Sequence, residues 1–293
     1  MKYSVTQFRN EFPNDEACLA RIFELRYGNE QNCQKCGKQA HFHPISKRRA
    51  FACQWCGHHL YPCVGTIFEK SSTPLSLWFH AMYLMTATRN GVSAKELQRQ
   101  LGVTYKCAWR IGHEIRKLMS ERNALNGPLS GHVEADETYM GGKVSGKGSG
   151  NRAGAKAIVF GMVQRDGHVK AEVVENVKRK SLRPLIEKHV LPGSTVSTDE
   201  LRSYGVLGAK GFNHGSVNHS KEQWVNGIHH TNNIENFWKH LKNGIRSTHI
   251  HVSRKYLQNY IEEFGFRYNN RKEPASMFYR MISHLAQHRK EAD

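Results

Sequence analysis

Two Cys-x2-Cys pairs constrain what this chain can fold into more than any other feature. Cys33 and Cys36 are followed, after 16 residues, by Cys53 and Cys56, with Gly37 and Gly57 directly after the second cysteine of each pair. Each such turn presents two thiolates to one side of a tetrahedral ion, so the four cysteines together close a zinc ribbon. The glycines stand where a knuckle needs a permissive backbone. His41, His43, His58 and His59 are further nitrogen donors, but four thiolates already fill the shell. The chain has seven cysteines, and an odd set in a reducing compartment argues against disulfides. Cys18, Cys63 and Cys107 read as buried free thiols. Lys35, Lys38, Lys47, Arg48 and Arg49 make the ribbon basic. A ribbon alone specifies a small stapled module, not an activity.

Charge narrows the partner. Lys and Arg total 43 against 25 Asp and Glu, a formal net charge of +18. Such an excess says nothing about fold but favours a polyanion, with nucleic acid ahead of a membrane surface. A chain of 293 residues holds one large domain or two to three smaller ones. Its most apolar stretch, LSLWFHAMYLMT, is too short to span a bilayer and is interrupted by His80. The N-terminal residues lack a basic-then-apolar leader. A cytoplasmic, nucleoid-associated location is the expectation.

After the ribbon, Leu77, Trp78, Ala81, Leu84, Met85 and Thr88 recur at helical spacing up to Gly91. The next stretch, SAKELQRQLGVTYKCAWRIGHEIRKLM, has the form of a helix-turn-helix. Ser93 and Glu96 form a capping box, Leu97 and Leu101 are apolar, Gly102 turns the chain and Thr104 caps the second helix. On that helix Lys106, Arg110, His113 and Lys117 make one basic face opposite Ala108, Ile111, Ile115 and Leu118. A basic face on a recognition helix is what major-groove docking requires, although a solvated helix face has the same pattern.

A Pro-, Gly-, Asn- and Ser-rich break, ERNALNGPLSG, marks a domain boundary, beyond which short strands begin. HVEADETYM places Val133 and Ala135 on one face and Glu134 and Asp136 on the other. AIVFGMVQ is a continuous apolar run, HVKAEVVE alternates, and Asp166-Gly167 between them signals a hairpin. A helix at SLRPLIEKHV precedes the strand STVST, which ends at Asp199. The order gives an α/β layer with acids at strand ends. Four segments follow: 1–28 helical, 29–65 zinc ribbon, 66–125 helix-turn-helix and 126–293 catalytic.

Asp136, Asp199 and Glu235 stand out as a set, with 35 residues between the last two. Cleaving a phosphodiester develops charge on attacking and leaving oxygens, and two divalent ions roughly 4 Å apart stabilise both. Hard cations such as Mg²⁺ are held by carboxylates. Each acid also has an ordinary explanation. Glu134 or Glu137 would serve in place of Asp136, Asp199 would cap a following helix, and Asn232-x-x-Glu235 is itself a capping-box pattern. Glu235, Lys239 and Lys242 share one helix face, with Ile234, Phe237, Trp238, Leu241 and Ile245 on the buried one. The lysines would hold a DNA backbone, or Lys239 would only pair with Glu235.

This set, with Lys242 seven residues after the glutamate, resembles the DDE transposases and retroviral-type integrases. The strings VEADETYMGGK, HTNNIENFWKHLKNGI and YIEEFGFRYNNR resemble more narrowly the bacterial insertion-sequence transposases related to Merlin elements. The ribbon and helix-turn-helix are similar to that family's N-terminal half, so the resemblance runs from about residue 20 to 275. It implies an RNase H-like five-stranded mixed sheet flanked by helices, preceded by the zinc ribbon and helix-turn-helix. Asp136 would lie on the first strand, Asp199 at the end of the fourth and Glu235 on a following helix. Together they would bind two Mg²⁺ or Mn²⁺ ions that serve end cleavage and strand transfer. Some groups of the family carry asparagine in the third position, and Asn232 and Asn233 stand nearby; Glu235 is assigned because Lys242 falls at the expected offset from it. The implied partners are the element's terminal repeats and target DNA, bound by a homodimer or higher oligomer. A silent DNA-binding regulator and an RNase H-like nuclease are the alternative readings. The loop GGKVSGKGSGNRAGAK, with Lys143, reads either as a basic hairpin lying against DNA or as a plain flexible loop. Glu263 and Arg267 resemble a paired family motif or form a helix salt bridge.

Overall fold

The computed structural model describes residues 3–28, 31–141, 156–205 and 207–286. The chain divides into two compact units, one of Met1–Thr88, Ser93–Arg122 and Glu273–Asp293, the other of Arg89–Val92 and Asn123–Lys272.

In the first unit, α1 (Val5–Glu11) starts at a Ser4–Gln7 capping box and α2 (Asp15–Tyr27) at Asn14. The ribbon follows as the hairpin β1 (Gln31–Asn32) and β2 (Gln39–Ala40), then the antiparallel strands β3 (Phe42–Pro44), β4 (Phe51–Cys53) and β5 (His59–Leu60). Helix α3 (Leu75–Ala87) begins at Pro74, which has no capping side chain. Asp15 does that work from α2, accepting from the Leu75 and Ser76 amides, both at 2.9 Å, and from the Ser76 hydroxyl at 2.6 Å. Trp78, Phe79, Ala81, Met82 and Met85 are fully buried.

The cap-turn-cap pattern forms as α4 (Ala94–Leu101) and α5 (Tyr105–Ala124). Ser93 accepts from the Glu96 amide at 3.1 Å, Gly102 takes φ 65° and ψ 26°, and Thr104 accepts from the Cys107 amide at 3.3 Å. Ala108, Ile111, Ile115 and Leu118 are fully buried. The capping box is only half made, because the Glu96 carboxylate takes Arg99 and Gln100 instead. Glu273–Asp293 belongs to this unit and not, as expected, to the catalytic segment. Phe278 packs among Phe8, Phe12 and Phe79, with ring centroids 5.7, 5.6 and 6.2 Å away.

The second unit is built on β6 (His132–Met140), β7 (Ala157–Gln164), β8 (Val169–Val174), α6 (Arg179–His189), β9 (Thr195–Thr198), β10 (Asn213–Ser216), α7 (Asn232–Gly244) and α8 (Arg254–Asn269). The strands form one sheet in the order β10-β9-β6-β7-β8. Pairing of β7 with β6 and β8 is antiparallel, while β9 runs parallel to β6 and β10. One face packs Val159, Val163 and Met140 against Ile234, Trp238 and Leu241 of α7 and Ile261 and Phe264 of α8. The other packs Val133, Ala135 and Phe160 against Leu182 and Ile186 of α6 and Tyr204. This is the mixed, helix-flanked, RNase H-like sheet that the resemblance implies. Residue pattern alone misses β10, whose sequence NHGS carries neither alternation nor β-branched residues.

Candidate active site

The site begins where a ladder stops. Strand β6 pairs with β9 only from His132 to Glu134, yet continues to Met140 along β7. Beyond Glu134 and Ser197 the two parallel strands part, and side chains from both faces of the sheet enter the gap. Asp136 and Glu137 reach it from β6 and Asp199 from the residue after β9. Carboxylate oxygens of the three lie within 4.8 Å of one another. Asp136 accepts from the Trp238 indole at 3.0 Å and Glu137 from the Tyr204 hydroxyl at 2.7 Å. Asp199 accepts from the Leu201 amide at 3.0 Å, so it closes a turn as well as facing the cluster.

Burial raises all three acids above their ordinary values. For Asp136 the cause is burial first, then the charges of Glu137 and Asp199, and it is pushed up to about 7. Burial likewise raises Glu137 and Asp199. None of the three is in an ion pair with Lys or Arg among the described residues. Hard oxygen donors that are crowded and unneutralised fit a small divalent cation, whose charge would remove the repulsion.

Glu235 is on α7 but outside this cluster. Its N–H bonds to the Thr231 carbonyl at 3.0 Å, its carboxylate accepts from the Thr231 hydroxyl at 2.8 Å, and His219 Nε2 is 3.8 Å away. Glu200 holds the turn that carries His219, accepting from the His219 and Ser220 amides at 2.9 and 3.1 Å. The capping-box explanation for Glu235 fails, since α7 starts at Asn232 with Thr231 as N-cap. The helix is capped from the sheet instead. Fully buried Glu134 accepts from the Asn233 and Ile234 amides at 2.7 and 3.2 Å, the Asn233 side chain at 2.8 Å and Arg165 at 2.8 Å. A negative charge at a helix N-terminus is favourable, and here it fixes α7 to the strand bearing Asp136. Glu134 was legible only as a substitute for Asp136, and Trp238 only as an apolar position.

Through Glu137 the cluster borders a cleft of about 990 Å³. Glu137 is its acidic lining residue, against Lys156, Lys242, Arg246 and Arg254. Burial, then Arg246, lowers the Lys242 ammonium while Asp136 raises it. Lys239 is exposed on the same helix. Lys143 lies outside the described residues.

In the ribbon the four cysteine sulfurs converge within 4.8 Å, with Cys33–Cys56 at 3.6 Å and Cys36–Cys53 at 4.0 Å. Four sulfurs at about 2.3 Å from a tetrahedral zinc stand about 3.8 Å apart, so the set has the right size. Gly37 and Gly57 take φ 69° and 67° and donate to Cys33 and Cys53 carbonyls at 2.8 and 3.0 Å.

The helix-turn-helix face is altered. Arg110 does not stand free: its guanidinium lies 5.4 Å from the Trp78 ring and donates to the Ser71 and Thr73 hydroxyls at 3.2 and 3.4 Å. His113 stacks on Trp109 at 5.0 Å, and burial lowers its pKa, which favours the neutral ring. Lys106 is exposed, and exposed Lys117 pairs with Glu114 at 2.9 Å. Spacing put the four on one face; Arg110 and His113 are each half-buried against a Trp side chain there.

Two family models match the chain. The family model described as ISXO2-like transposase domain matches residues 128–269, and the transposase zinc-ribbon domain matches residues 13–59. An uncharacterized transposase-like protein of Haemophilus influenzae is 36% identical over 98 residues, covering 33% of this chain and 78% of that protein. The chain belongs to the ISXO2-like transposase family. An uncharacterized protein in the transposable element ISH50 of Halobacterium salinarum extends the likeness to 94% of this family member and 98% of its own length, at 26% identity. Among solved structures, the Mos1 strand transfer complex covers 73% of this chain and 79% of its own at 12% identity and TM-score 0.32. The Mos1 paired-end complex with the left transposon end covers 71% and 75% at 14% identity and TM-score 0.30.

Proposed function

We propose that this transposase cuts the DNA ends of its own insertion sequence and joins the freed 3′-OH to target DNA. The observation that carries the reading is the unneutralised cluster of Asp136, Glu137 and Asp199, whose Glu137 lines a cleft together with Lys156, Lys242, Arg246 and Arg254. Asp136 and Asp199 are the metal-binding carboxylates, Glu137 adds a donor beside them, and Glu235, outside the cluster on α7, is the third acid that the family resemblance implies. Two Mg²⁺ or Mn²⁺ ions held there would supply charge stabilisation and an activated water. The chain's own groups do the placing. Glu134 and Trp238 fix helix and strand, and Lys242 and Lys239 hold the backbone phosphates of the scissile strand. In the first step a water oxygen bonds to phosphorus, the P–O3′ bond breaks, and the 3′-oxygen takes a proton. In the second that 3′-oxygen attacks a target phosphorus and displaces the target's 3′-oxygen. No covalent protein intermediate is required.

The Cys33, Cys36, Cys53 and Cys56 set holds one structural zinc. Lys106 and Lys117, with Lys143, contribute positive charge toward double-stranded DNA, and paired element ends call for a dimer or higher oligomer. The test is an in vitro reaction of the full chain with a plasmid carrying its gene's own flanking DNA in Mg²⁺, beside Asp199→Asn. Cutting at a repeat end followed by joining, both lost in the variant, is the expected result. Nicks without joining would favour a nuclease, and binding without cutting a regulator.

A further inference from the structure

The chain between α7 and α8 is built in an unusual way. Residues Ile245–His249 form a π-helical turn, and the next residue, Ile250, takes φ 63° and ψ −57°. The His251 amide donates to the His249 carbonyl at 2.6 Å, which closes a γ-turn with Ile250 at its apex. That turn is the rare, strained form, and a β-branched side chain makes it worse. Glycine would adopt it without steric cost. The turn is also anchored on both sides: the His249 ring lies 4.7 Å from that of Tyr260, and Val252 packs on the core beneath α7 and α8. The anchored turn fixes the position of the Ile250 backbone at its apex. Ile250 is 84% exposed, more than any other large hydrophobic residue described, and it lines the basic cleft that Glu137 and Lys242 share.

An exposed apolar side chain among the cleft cations Lys156, Lys242, Arg246 and Arg254 is suited to a partner that is both charged and stacked. We infer that Ile250 is a wedge that inserts between stacked bases of the DNA in the cleft and opens the duplex beside the scissile phosphate. Proteins that deform DNA commonly insert Ile, Leu, Met or Phe between base steps, at the cost of unstacking them. Here the cost would be offset by the cations around the cleft, and the opened step would let the strand bend toward the acids. The inference rests on the proposed reading of this cleft as the path of the cut DNA.

The test uses the full-length protein and a duplex copied from the DNA flanking its own gene, with 2-aminopurine next to the repeat end. In Ca²⁺, where binding is read without cutting, the parent and Ile250→Leu are expected to raise the probe's emission as it unstacks. Ile250→Gly, which keeps the turn and removes the side chain, should bind within about threefold of the parent and leave emission flat. In Mg²⁺ the glycine variant should cut paired ends about tenfold more slowly and recover on ends whose terminal pairs are mismatched. A glycine variant that unstacks and cuts paired ends like the parent overturns the wedge and leaves the transposase reading intact. So does one that changes only self-association by light scattering, which would assign the apex to a second copy. A parent that neither unstacks nor cuts any such duplex overturns both.

Discussion

At the scale of single residues, Asp136, Glu137 and Asp199 are crowded acids whose repulsion a proton or a cation would relieve. The folded-state pKa of Asp136 is raised from 3.8 to about 7. A raised group contributes stability that is complete below the unfolded value and is lost as pH rises through the folded one. The contribution of Asp136 to metal-free stability should therefore fall between about pH 4 and pH 7, with Glu137 and Asp199 acting in the same direction, read as the difference in melting temperature from Asp136→Asn across that window. Added Mg²⁺ should raise the melting temperature more at pH 8 than at pH 5, as read by scanning calorimetry. Equal stabilisation at both would remove the carboxylate cluster as the ion's site. The third acid is separable from its neighbours: Asn233 is committed to Glu134, whereas Glu235 carries a carboxylate within reach of His219. Glu235→Gln is expected to abolish Mg²⁺-dependent cleavage and Asn232→Ala only to weaken it; the reverse ranking in a cleavage time course would move the role to the asparagine.

At the scale of elements, α7 works because it lies flat on the sheet. A Cβ at Gly161, the β7 partner of Asp136, would come within 2.5 Å of Trp238 and 3.0 Å of Ile234. Gly161→Ala should cost about 1–3 kcal/mol in urea unfolding. It should also slow cleavage, because the Trp238 indole that it displaces is the one bonded to Asp136; unchanged activity would show that bond to be dispensable. The ribbon depends on a different force. Its strands are two or three residues long, so its fold rests on the four thiolates. Chelation of zinc or Cys36→Ser should abolish amide protection at residues 31–60, measured by hydrogen exchange, and protection that survives would show the ribbon to stand without metal. Strands β6, β7 and β9 were readable because their alternation or apolar run reports which face is buried. Glu137 was readable only as a substitute, because neighbouring residues on a strand point to opposite faces and meet in one site only where the ladder ends. Arg110 misled for the opposite reason: helical spacing reports direction, not whether a Trp waits there.

At the scale of the whole molecule, a net charge of +18 would make the proposed binding of DNA a matter of counterion release. Each phosphate neutralised should steepen the fall of log K with log salt by about 0.9. Lys242→Ala should weaken binding of all sequences and reduce that slope by about one unit in a salt titration; an unchanged slope would place Lys242 off the backbone. None of the helices described is long and apolar enough to cross a membrane. Local chemistry was enough to determine the zinc knuckles, the helix caps at Ser93 and Thr104 and the alternation of β6, since each depends on neighbours along the chain. Only the tertiary structure decided that Glu134 caps α7 across about a hundred residues. It alone opened the sheet between β6 and β9 so that Glu137 joins Asp136 and Asp199, drew Arg110 onto Trp78, and set Ile250 at the apex of a strained turn. Those outcomes turn on where a ladder stops and what packs against it, and sequence spacing carries no record of either.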